Sequence, residues 1–246
     1  MKLRKLASGL AGTLLDTIMP QDCPGCGEPV ESGPCRRLCQ WCFRSIEWIR
    51  RPFCERCGSP LQERAFSTEE CLHCRELQPS FAFGRAMFLL TGTGRSFIHG
   101  LKYHGDRSLL EDLPGFLDEV PDFKDHLKGA VIVPVPLHRR RLRSRGFNQS
   151  EWIAESIAAC DDLSAEVHPL LGRVRNTRTQ TRLSRPERME NLKNAFALTS
   201  GKLFDRCRRI VIVDDVFTTG ATLEACARVL LEAGAKQVHV AALGHG

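Results

Sequence analysis

Long hydrophobic runs are missing from this sequence. Hydrophobic residues make up 42% of its 246 residues, yet no stretch approaches the ~18 uninterrupted apolar residues that a membrane-spanning helix needs. Aromatic residues are also scarce, at 7%, and the single tyrosine, Tyr103, is expected to pack rather than to take part in chemistry. These shortages predict a soluble protein with no transmembrane segment. A net charge of +6 favours anionic partners such as phosphates or nucleic acid.

The first twenty residues begin basic and turn apolar, as a signal peptide does. Asp16 interrupts the apolar run, however, and no convincing small-residue cleavage site follows it. Apolar residues instead recur every three or four positions, the spacing of an amphipathic helix. These residues are Leu3, Leu6, Leu10, Leu14 and Ile18. We expect a packed helix here, with a membrane-surface helix as the minor alternative.

Residues 20–79 consist of short pieces punctuated by cysteine, glycine and proline. They show little periodic hydrophobicity, which indicates that something other than a hydrophobic core holds them together. From Phe81 onward the pattern changes, because apolar strands alternate with helical stretches as in a parallel α/β sheet. The strands are 130–135 and 210–213, and the helices are 148–159 and 221–233. We therefore expect two units, 1–79 and 80–246.

Cysteine is concentrated in the first unit, where residues 23–74 hold nine of the twelve cysteines. Eight of these nine form four CxxC pairs, Cys23/Cys26, Cys39/Cys42, Cys54/Cys57 and Cys71/Cys74, separated by 12, 11 and 13 residues. A CxxC pair holds its thiols too locally for a good cross-link but suits a tetrahedral metal. The pattern therefore predicts zinc ribbons in a cytoplasmic protein rather than a secreted disulfide scaffold.

The simplest assignment is two Zn²⁺ ions, each held by two consecutive CxxC pairs. Crossed pairing stays open at this level, as does replacement of a ligand by Cys35 or His73. A closed site of four cysteines has no open coordination position, so we expect it to contribute folding energy rather than catalysis. Redox-active CxxC motifs are the rival interpretation, but four copies without a thioredoxin-like context argue against it.

The segment VIVDDVFTTGAT, residues 211–222, combines a buried-strand pattern with a polar turn and a helix start. The predicted strand ends at Asp214 and Asp215, and such strand-to-helix turns are where α/β sheets bind ligands. Backbone N–H groups at the helix start favour a phosphate, and adjacent carboxylates suit ribose hydroxyls, directly or through Mg²⁺. An ordinary capped helix would explain one polar residue rather than six. The lysine of a Walker A loop is absent.

This segment resembles the signature of type I phosphoribosyltransferases. The resemblance implies that Asp214 and Asp215 hold the ribose hydroxyls of 5-phosphoribosyl 1-pyrophosphate (PRPP), a ligand that binds with Mg²⁺. The residues implied for its 5-phosphate are Thr218, Thr219, Gly220, Ala221 and Thr222.

A second strand end, at 135–137, precedes five arginines between Arg139 and Arg145. By the same resemblance this is the pyrophosphate loop, where Pro136, Leu137 and His138 would meet the diphosphate mainly through backbone groups. Arginine offers forked donors and a permanent charge to such a neighbour, and Arg145 is included among the expected PRPP-binding residues. For some of the five arginines, a solvated basic turn is the alternative.

Four segments together resemble the competence-associated ComF family over nearly the whole chain. They are LKYHGD at 101–106, PVPLHRRRLRSRGFNQ at 134–149, RTQTRLSRPERMENLKNAF at 178–196 and VIVDDVFTTGAT. The resemblance implies a type I phosphoribosyltransferase fold, a Rossmann-like parallel sheet flanked by helices and preceded by the zinc module. It also implies that Lys102 approaches the active-site mouth and that Gln180, Arg188 and Asn191 belong to a mobile loop.

Two functions of different classes follow from the resemblance. The first is a phosphoribosyltransferase with an unidentified acceptor. The second is a single-stranded DNA-binding component of the DNA-uptake machinery that uses the PRPP pocket as a sensor or structural site. The arginines of 139–145 could track a phosphate backbone together with Arg173, Arg175, Arg178, Arg182 and Arg185. Aromatic residues for base stacking are not interleaved among them, and a zinc-ribbon adaptor for a partner protein is a third alternative.

Overall fold

A five-stranded parallel sheet, ordered β1-β7-β6-β2-β3, forms the centre of the fold. The structure is a computed structural model that describes residues 21–30, 35–61, 71–177, 192, 194–199 and 209–246. The strands are β1 Phe83–Leu89, β2 Val131–Pro134, β3 Glu166–Val167, β4 Leu171–Arg173, β5 Phe196–Leu198, β6 Ile210–Phe217 and β7 Val238–His245. Strands β4 and β5 form a separate antiparallel pair. The predicted parallel α/β sheet is confirmed.

Helices flank the sheet and join its strands. They are α1 Gln40–Arg44, α2 Leu72–Leu77, α3 Gly92–His99, α4 Leu113–Glu119, α5 Pro121–Leu127, α6 Arg139–Arg145, α7 Gln149–Ala158 and α8 Ala221–Glu232. A π-helical turn, Gly100–His104, continues α3, and a 3₁₀ segment, Arg107–Asp112, leads into α4. Helices α7 and α8 agree with the predicted stretches to within one residue at each end.

Hydrophobic cores cover both faces of the sheet because alternate residues of each strand point to opposite faces. In β6, Val211 and Val213 pack with side chains of α3, α4 and α7. Ile210 and Ile212 pack instead with α8 and with the β4–β5 pair. Since both faces are buried, the central strands appear in the sequence as continuous apolar runs.

The two cysteine modules contribute to opposite cores. We call residues 21–30 and 35–46 ribbon 1, and residues 53–61 and 71–77 ribbon 2. Leu38 of ribbon 1 joins the core that contains Val211, whereas Leu77 of ribbon 2 joins the core that contains Ile212. Each ribbon therefore shares a hydrophobic core with the sheet, and the division into units 1–79 and 80–246 stays a prediction.

Ribbon 1 is attached to the face of the sheet that carries α3 and α4, through the buried carboxylate of Asp112. The backbone N–H groups of Arg36, Arg37 and Leu38 donate to its oxygens, at distances of 2.6–3.2 Å. Burial raises the pKa of Asp112, although these three donors act in the opposite direction. A hydroxyl pair with an Oγ to Oγ1 distance of 2.8 Å, between Ser45 and Thr93 of α3, adds a second attachment.

Several predicted features lie outside the described residues. They are the N-terminal helix and the mobile loop with Gln180, Arg188 and Asn191. A membrane crossing would need a longer and more apolar helix than any that the described residues form.

Two buried histidines link this packing to pH. His126 of α5 and His239 of β7 lie with ring centroids 5.1 Å apart, and each is 8% exposed. Burial lowers the pKa of His126 to about 3 and that of His239 to about 4. The unfolded chain binds protons at both rings below about pH 6.5. Their contribution to stability is therefore complete above that pH and is lost as the pH falls towards 4.

We predict that His239→Phe flattens this acid destabilisation, because one buried ring no longer has to stay neutral. Between pH 6 and pH 4.5, the slope of the unfolding free energy against pH should fall by up to about 1.4 kcal/mol per pH unit. Urea unfolding across that range measures the slope. Replacement of the exposed His104 by asparagine is the control, and equal slopes for wild type and His239→Phe would contradict the prediction.

Candidate functional site

The acidic pair lies at the carboxyl edge of the sheet, where β2 and β6 are neighbours. Strand β2 ends at Pro134, opposite Val213, while β6 continues beside β7 to Phe217. The expectation that the strand ends at Asp214 and Asp215 is wrong, because pairing with β7 extends it to Phe217. The chain leaves β2 towards β3 and leaves β6 towards β7, so the strand order reverses between them. Ligands of α/β proteins bind in the crevice at such a reversal.

Asp214 is held in this crevice by two hydrogen-bond donors. Its Oδ1 accepts from the Ser150 hydroxyl at 2.8 Å and from the backbone N–H of Asp215 at 2.9 Å. Burial, followed by the charge of Asp215, raises the pKa of Asp214 to about 7. The carboxyl group therefore exchanges its proton near neutral pH, unlike an exposed aspartate.

Asp215 faces a lysine from a distant part of the chain. Lys102 Nζ lies 2.8 Å from Asp215 Oδ2, and the two side chains are 26% and 5% exposed. Burial lowers the pKa of Lys102, but the charges of Asp215 and Asp214 outweigh it and raise the pKa overall. The lysine therefore remains charged and partly neutralises the acidic pair. It also lies beside the acidic pair, close to where the sequence resemblance placed it.

The π-helical turn that carries Lys102 is a local irregularity, and such turns occur often at functional sites. It ends at Gly105, whose φ is 66°. A Cβ atom on Gly105 would lie 2.8 Å from Phe147, so glycine meets both a backbone and a steric requirement there. The turn is thereby packed against the segment that begins α7.

That segment connects the two loops of the crevice. Asn148 caps α7 by accepting from the N–H of Ser150, and its Nδ2 donates to the carbonyl of Val135 at 3.1 Å. Two residues later, Ser150 donates to Asp214. One helix start therefore positions the end of β2 and the acidic pair together. Neither residue was predicted to belong to the site, since an asparagine before a helix ordinarily indicates no more than a cap.

The expected pyrophosphate loop follows β2. Pro136 and His138 are buried, and Leu137 is partly exposed. His138 Nδ1 accepts from the backbone N–H of Arg140, so this ring caps α6. Burial, together with the neighbouring arginines, lowers the pKa of His138, which makes the neutral imidazole the prevailing form at pH 7.

Arg141 and Arg173 lie close enough to this loop for their charges to act on His138, and Arg145 is the last residue of α6. Arg145 donates to Gln149 Oε1 at 2.7 Å and lies over the ring of Phe147. Arg141 and Arg173 both donate to Thr177, to its carbonyl and to its hydroxyl respectively. Burial and the charge of Arg141 lower the pKa of Arg173. Arg141 and Arg173 thus lie close together although they are distant in sequence. The sequence predicted that both contribute positive charge, but it could not predict that they are neighbours.

The expected phosphate loop connects β6 to α8 through Thr218, Thr219 and Gly220. Gly220 has a φ of 74°, and its carbonyl accepts from the N–H of Glu224 in the first turn of α8. A Cβ atom on Gly220 would lie 2.6 Å from Leu77 and 2.7 Å from Phe217. Both the backbone conformation and the available space therefore restrict this position to glycine.

Two clusters of four cysteines have the arrangement of metal centres. They are Cys23, Cys26, Cys39 and Cys42 in ribbon 1, and Cys54, Cys57, Cys71 and Cys74 in ribbon 2. Within each cluster all Sγ atoms lie within 4.8 Å of one another. The Cys26–Cys39 and Cys54–Cys74 Sγ distances are both 3.7 Å. A tetrahedral zinc with four sulfurs at ~2.3 Å would separate them by about 3.8 Å.

These clusters confirm the prediction of two structural zinc sites, each built from consecutive CxxC pairs. Cys35 lies outside both clusters, and burial raises the pKa of its thiol to about 12. His73 is also outside, with its ring centroid 5.1 Å from that of Phe217. Neither of the alternative ligands left open by the sequence is therefore used.

Comparisons with known proteins agree with this geometry. Residues 14–76 match the double zinc ribbon domain family, and residues 170–244 match the phosphoribosyl transferase domain family. Competence protein F of Haemophilus influenzae is 30% identical over 207 residues, which cover 82% of this chain and 88% of that protein. The chain belongs to the ComF family.

Two further relatives extend the match across species. DNA utilization protein YhgH of Salmonella typhimurium is 32% identical over 207 residues, again covering 82% of this chain and 88% of the relative. Competence protein ComFC of Bacillus subtilis is 27% identical over 208 residues, covering 82% of this chain and 80% of the relative. This ComF chain thus combines a phosphoribosyltransferase fold with a double zinc ribbon.

We predict that Ser150→Ala raises the pKa of Asp214 from its value of about 7, because the hydroxyl donor that favours the carboxylate is lost. Ser150→Thr keeps the hydroxyl and should leave the titration midpoint near that of the wild type. The ¹³C shift of the Asp214 carboxyl, followed against pH, measures the midpoint. An unchanged midpoint in Ser150→Ala would show that the hydroxyl does not tune this carboxyl group.

Proposed function

We propose that this ComF-family chain binds PRPP with Mg²⁺ and transfers its phosphoribosyl group to an acceptor. The supporting observation is the crevice between β2 and β6, where buried Asp214 and Asp215 stand beside a glycine-turned loop at the start of α8. A diol and a phosphate are the ligand groups that suit such neighbours. A ribose 5-phosphate carries both.

Each part of PRPP has chemically suitable partners in the crevice. The loop from Thr218 to Thr222 would bind the 5-phosphate, and the two carboxylates would accept hydrogen bonds from the 2′- and 3′-hydroxyls. Backbone groups of residues 136–138 would meet the diphosphate. The positive charges of Arg141 and Arg173 act on His138 in that loop, and Arg145 follows at the end of α6. The bound Mg²⁺ would supply further positive charge to the diphosphate oxygens.

The chemistry would be displacement at C1 of the ribose. The bond from C1 to the diphosphate oxygen breaks, the acceptor forms the new bond, and pyrophosphate leaves. Positive charge develops on the ribose ring and negative charge on the leaving group. The protein's contribution is therefore electrostatic and positional, with fixed carboxylates on the sugar and guanidinium groups near the diphosphate.

Lys102 has a role before the ligand arrives. Two adjacent buried carboxylates repel each other, and the ammonium group 2.8 Å from Asp215 offsets that repulsion. Asp214 must lose its proton to accept a hydroxyl hydrogen bond as a carboxylate. Because its pKa is about 7, we expect PRPP affinity to rise as the pH increases through neutrality.

The decisive test is PRPP binding and pyrophosphate release by the double variant Asp214→Asn plus Asp215→Asn. Asparagine keeps the shape of each side chain but removes both negative charges. We expect PRPP affinity in the presence of Mg²⁺, measured by calorimetry, to fall by about a hundredfold or more, since hydrogen bonds to charged groups are worth about 1.5–3 kcal/mol each. Release of pyrophosphate with candidate acceptors should disappear in parallel.

A matched control removes two aspartate charges elsewhere. Asp118 and Asp125 form surface ion pairs with Lys124 and Lys128, and converting both to asparagine should leave PRPP affinity unchanged. Equal affinities in the two double variants would exclude the acidic pair from the ligand site. Tight binding by the wild type without pyrophosphate release would favour the sensor role over the transferase.

A second candidate function is binding of single-stranded DNA within a DNA-uptake machinery in the cytoplasm. The relatives named as competence proteins motivate it, and one arrangement of side chains supports it. Phe147 and Trp152 stack with centroids 4.2 Å apart and an interplanar angle of 11°. Arg145 lies over Phe147, and Arg107 lies over Trp152. A stacked aromatic pair is therefore flanked by one arginine on each side, and strand-binding grooves combine these two residue types.

We predict that Arg107→Gln plus Arg145→Gln weakens binding of labelled single strands. The slope of log affinity against log salt should become shallower by about 1.4, since each phosphate contact contributes about 0.7. Fluorescence anisotropy at several salt concentrations gives the slope. The control is Arg36→Gln plus Arg50→Gln, two well exposed arginines of the ribbon side. A wild-type slope near zero would count against the DNA function.

A further inference from the structure

Ribbon 2 packs directly against the phosphate loop through its short helix. Helix α2 lies between the metal ligand Cys71 and residue Gln78, and its last residue, Leu77, is 1% exposed. The contact is with Gly220, where an added Cβ would come within 2.6 Å of Leu77 Cδ2. Leu77 therefore covers the residue whose left-handed backbone turns the phosphate loop into α8.

Aromatic rings provide a second contact between ribbon 2 and this loop. Phe217, which immediately precedes the loop, stacks on His245 with centroids 5.4 Å apart and an interplanar angle of 12°. His73, in the turn between Cys71 and Cys74, lies 5.1 Å from Phe217 and 5.7 Å from His245. One of the three rings in this cluster, that of His73, thus lies within the Cys71/Cys74 pair of ribbon 2.

The Cys54/Cys57 pair of ribbon 2 is connected to the His245 ring of this cluster by hydrogen bonds. Cys57 and Ser59 share a hydrogen bond, with an Sγ to Oγ distance of 3.0 Å, and Ser59 Oγ lies 2.9 Å from His245 Nε2. Ribbon 2 is also fixed to β1, because a Cβ atom on Gly58 would lie 2.9 Å from the backbone of Gly84. Both CxxC pairs of ribbon 2 are therefore connected to Phe217. The Cys71/Cys74 pair contacts it directly through His73, and the Cys54/Cys57 pair is linked to it through Ser59 and His245.

Ribbon 1 has different neighbours. Its contacts are with Asp112, Thr93 and the aromatic ring of Phe116, on the face of the sheet that carries α3 and α4. The chain thus contains two cysteine clusters of the same composition, one beside the phosphate loop and one on the other face.

We propose that ribbon 2 is part of the ribose-phosphate site, and that its zinc positions the phosphate loop through Leu77 and His73. Helix α2 has six residues, too few to be stable alone in water. Its conformation therefore depends on the zinc that binds Cys71 and Cys74. Loss of that zinc releases α2 from Gly220 and Phe217, and the loop loses the packing that orders it for a phosphate. The inference rests on the proposed binding of PRPP.

The coupling is reciprocal by thermodynamic necessity. If zinc in ribbon 2 favours PRPP binding, bound PRPP must favour zinc in ribbon 2 by the same factor. Ribbon 1 lacks this effect, because its contacts are elsewhere. The proposal therefore assigns different roles to two metal centres with the same ligands.

The first test compares two leucines that are each 1% exposed, Leu77 of ribbon 2 and Leu38 of ribbon 1. Both alanine variants should keep two zinc ions by metal analysis. We expect Leu77→Ala to bind PRPP with Mg²⁺ about fivefold or more weakly, the lower end of typical coupling, and Leu38→Ala to stay near wild type. Leu77→Met, which restores the volume, should recover the affinity. Equal losses in the two alanine variants would overturn the proposal.

The second test measures zinc rather than PRPP. Cys26→Ser leaves ribbon 2 as the intact centre, and Cys71→Ser leaves ribbon 1. Saturating PRPP with Mg²⁺ should slow chelator-driven zinc release from Cys26→Ser about fivefold and should leave the release rate from Cys71→Ser unchanged. Wild-type protein, whose two zinc ions should leave in separate phases, repeats the test without a cysteine change. Equal protection of both centres contradicts the proposal.

Hydrogen exchange separates this proposal from the function on which it rests. In ligand-free protein, amide exchange over residues 214–224 should be faster in Leu77→Ala than in Leu38→Ala. If wild type fails to bind PRPP but this difference is found, the proposed function is wrong and the positioning of the loop by ribbon 2 stands. If the wild type binds PRPP and the exchange rates are equal, the positioning role is wrong.

Discussion

Two neighbouring carboxylates that are largely shielded from water are the constraint on which the rest of this site depends. Such a pair is unstable unless opposite charge or hydrogen-bond donors come close. Lys102 meets this requirement for Asp215, and Ser150 meets it for Asp214. The π-helical turn behind the lysine and the capped helix start behind the serine are therefore both tied to the acidic pair, and a change in either element alters its charge state.

The two ribbons show that a repeat in sequence does not imply a repeat in structural surroundings. The four CxxC pairs have the same local geometry, so each ribbon has the same requirement for a tetrahedral metal. Their surroundings differ because the chain sends ribbon 1 to one face of the sheet and ribbon 2 to the other. The fold determines which residues surround each cysteine cluster, and the CxxC motif alone does not predict them.

Local patterns predicted much of this architecture. The spacing of Cys23/Cys26 and its three counterparts identified the ligands, and apolar periodicity located α8 and the strand before it. Contacts between distant segments could not be predicted in the same way. Ser150 and Asp214 are 64 positions apart, and Ser59 and His245 are 186 apart. The predicted end of β6 was wrong for the same reason, since its last residues are strand only through pairing with β7.

The stacked Trp152 ring of α7 has a practical consequence, because tryptophan is an optical reporter. The chain contains three tryptophans in three different settings. Trp41 is 83% exposed in ribbon 1, Trp48 packs edge-on against Phe88 and Phe116, and Trp152 stacks on Phe147. Single-tryptophan versions of this protein would therefore give separate emission signals for ribbon 1, for the aromatic cluster around Phe116 and for the aromatic pair in α7 and the segment before it, without any attached dye.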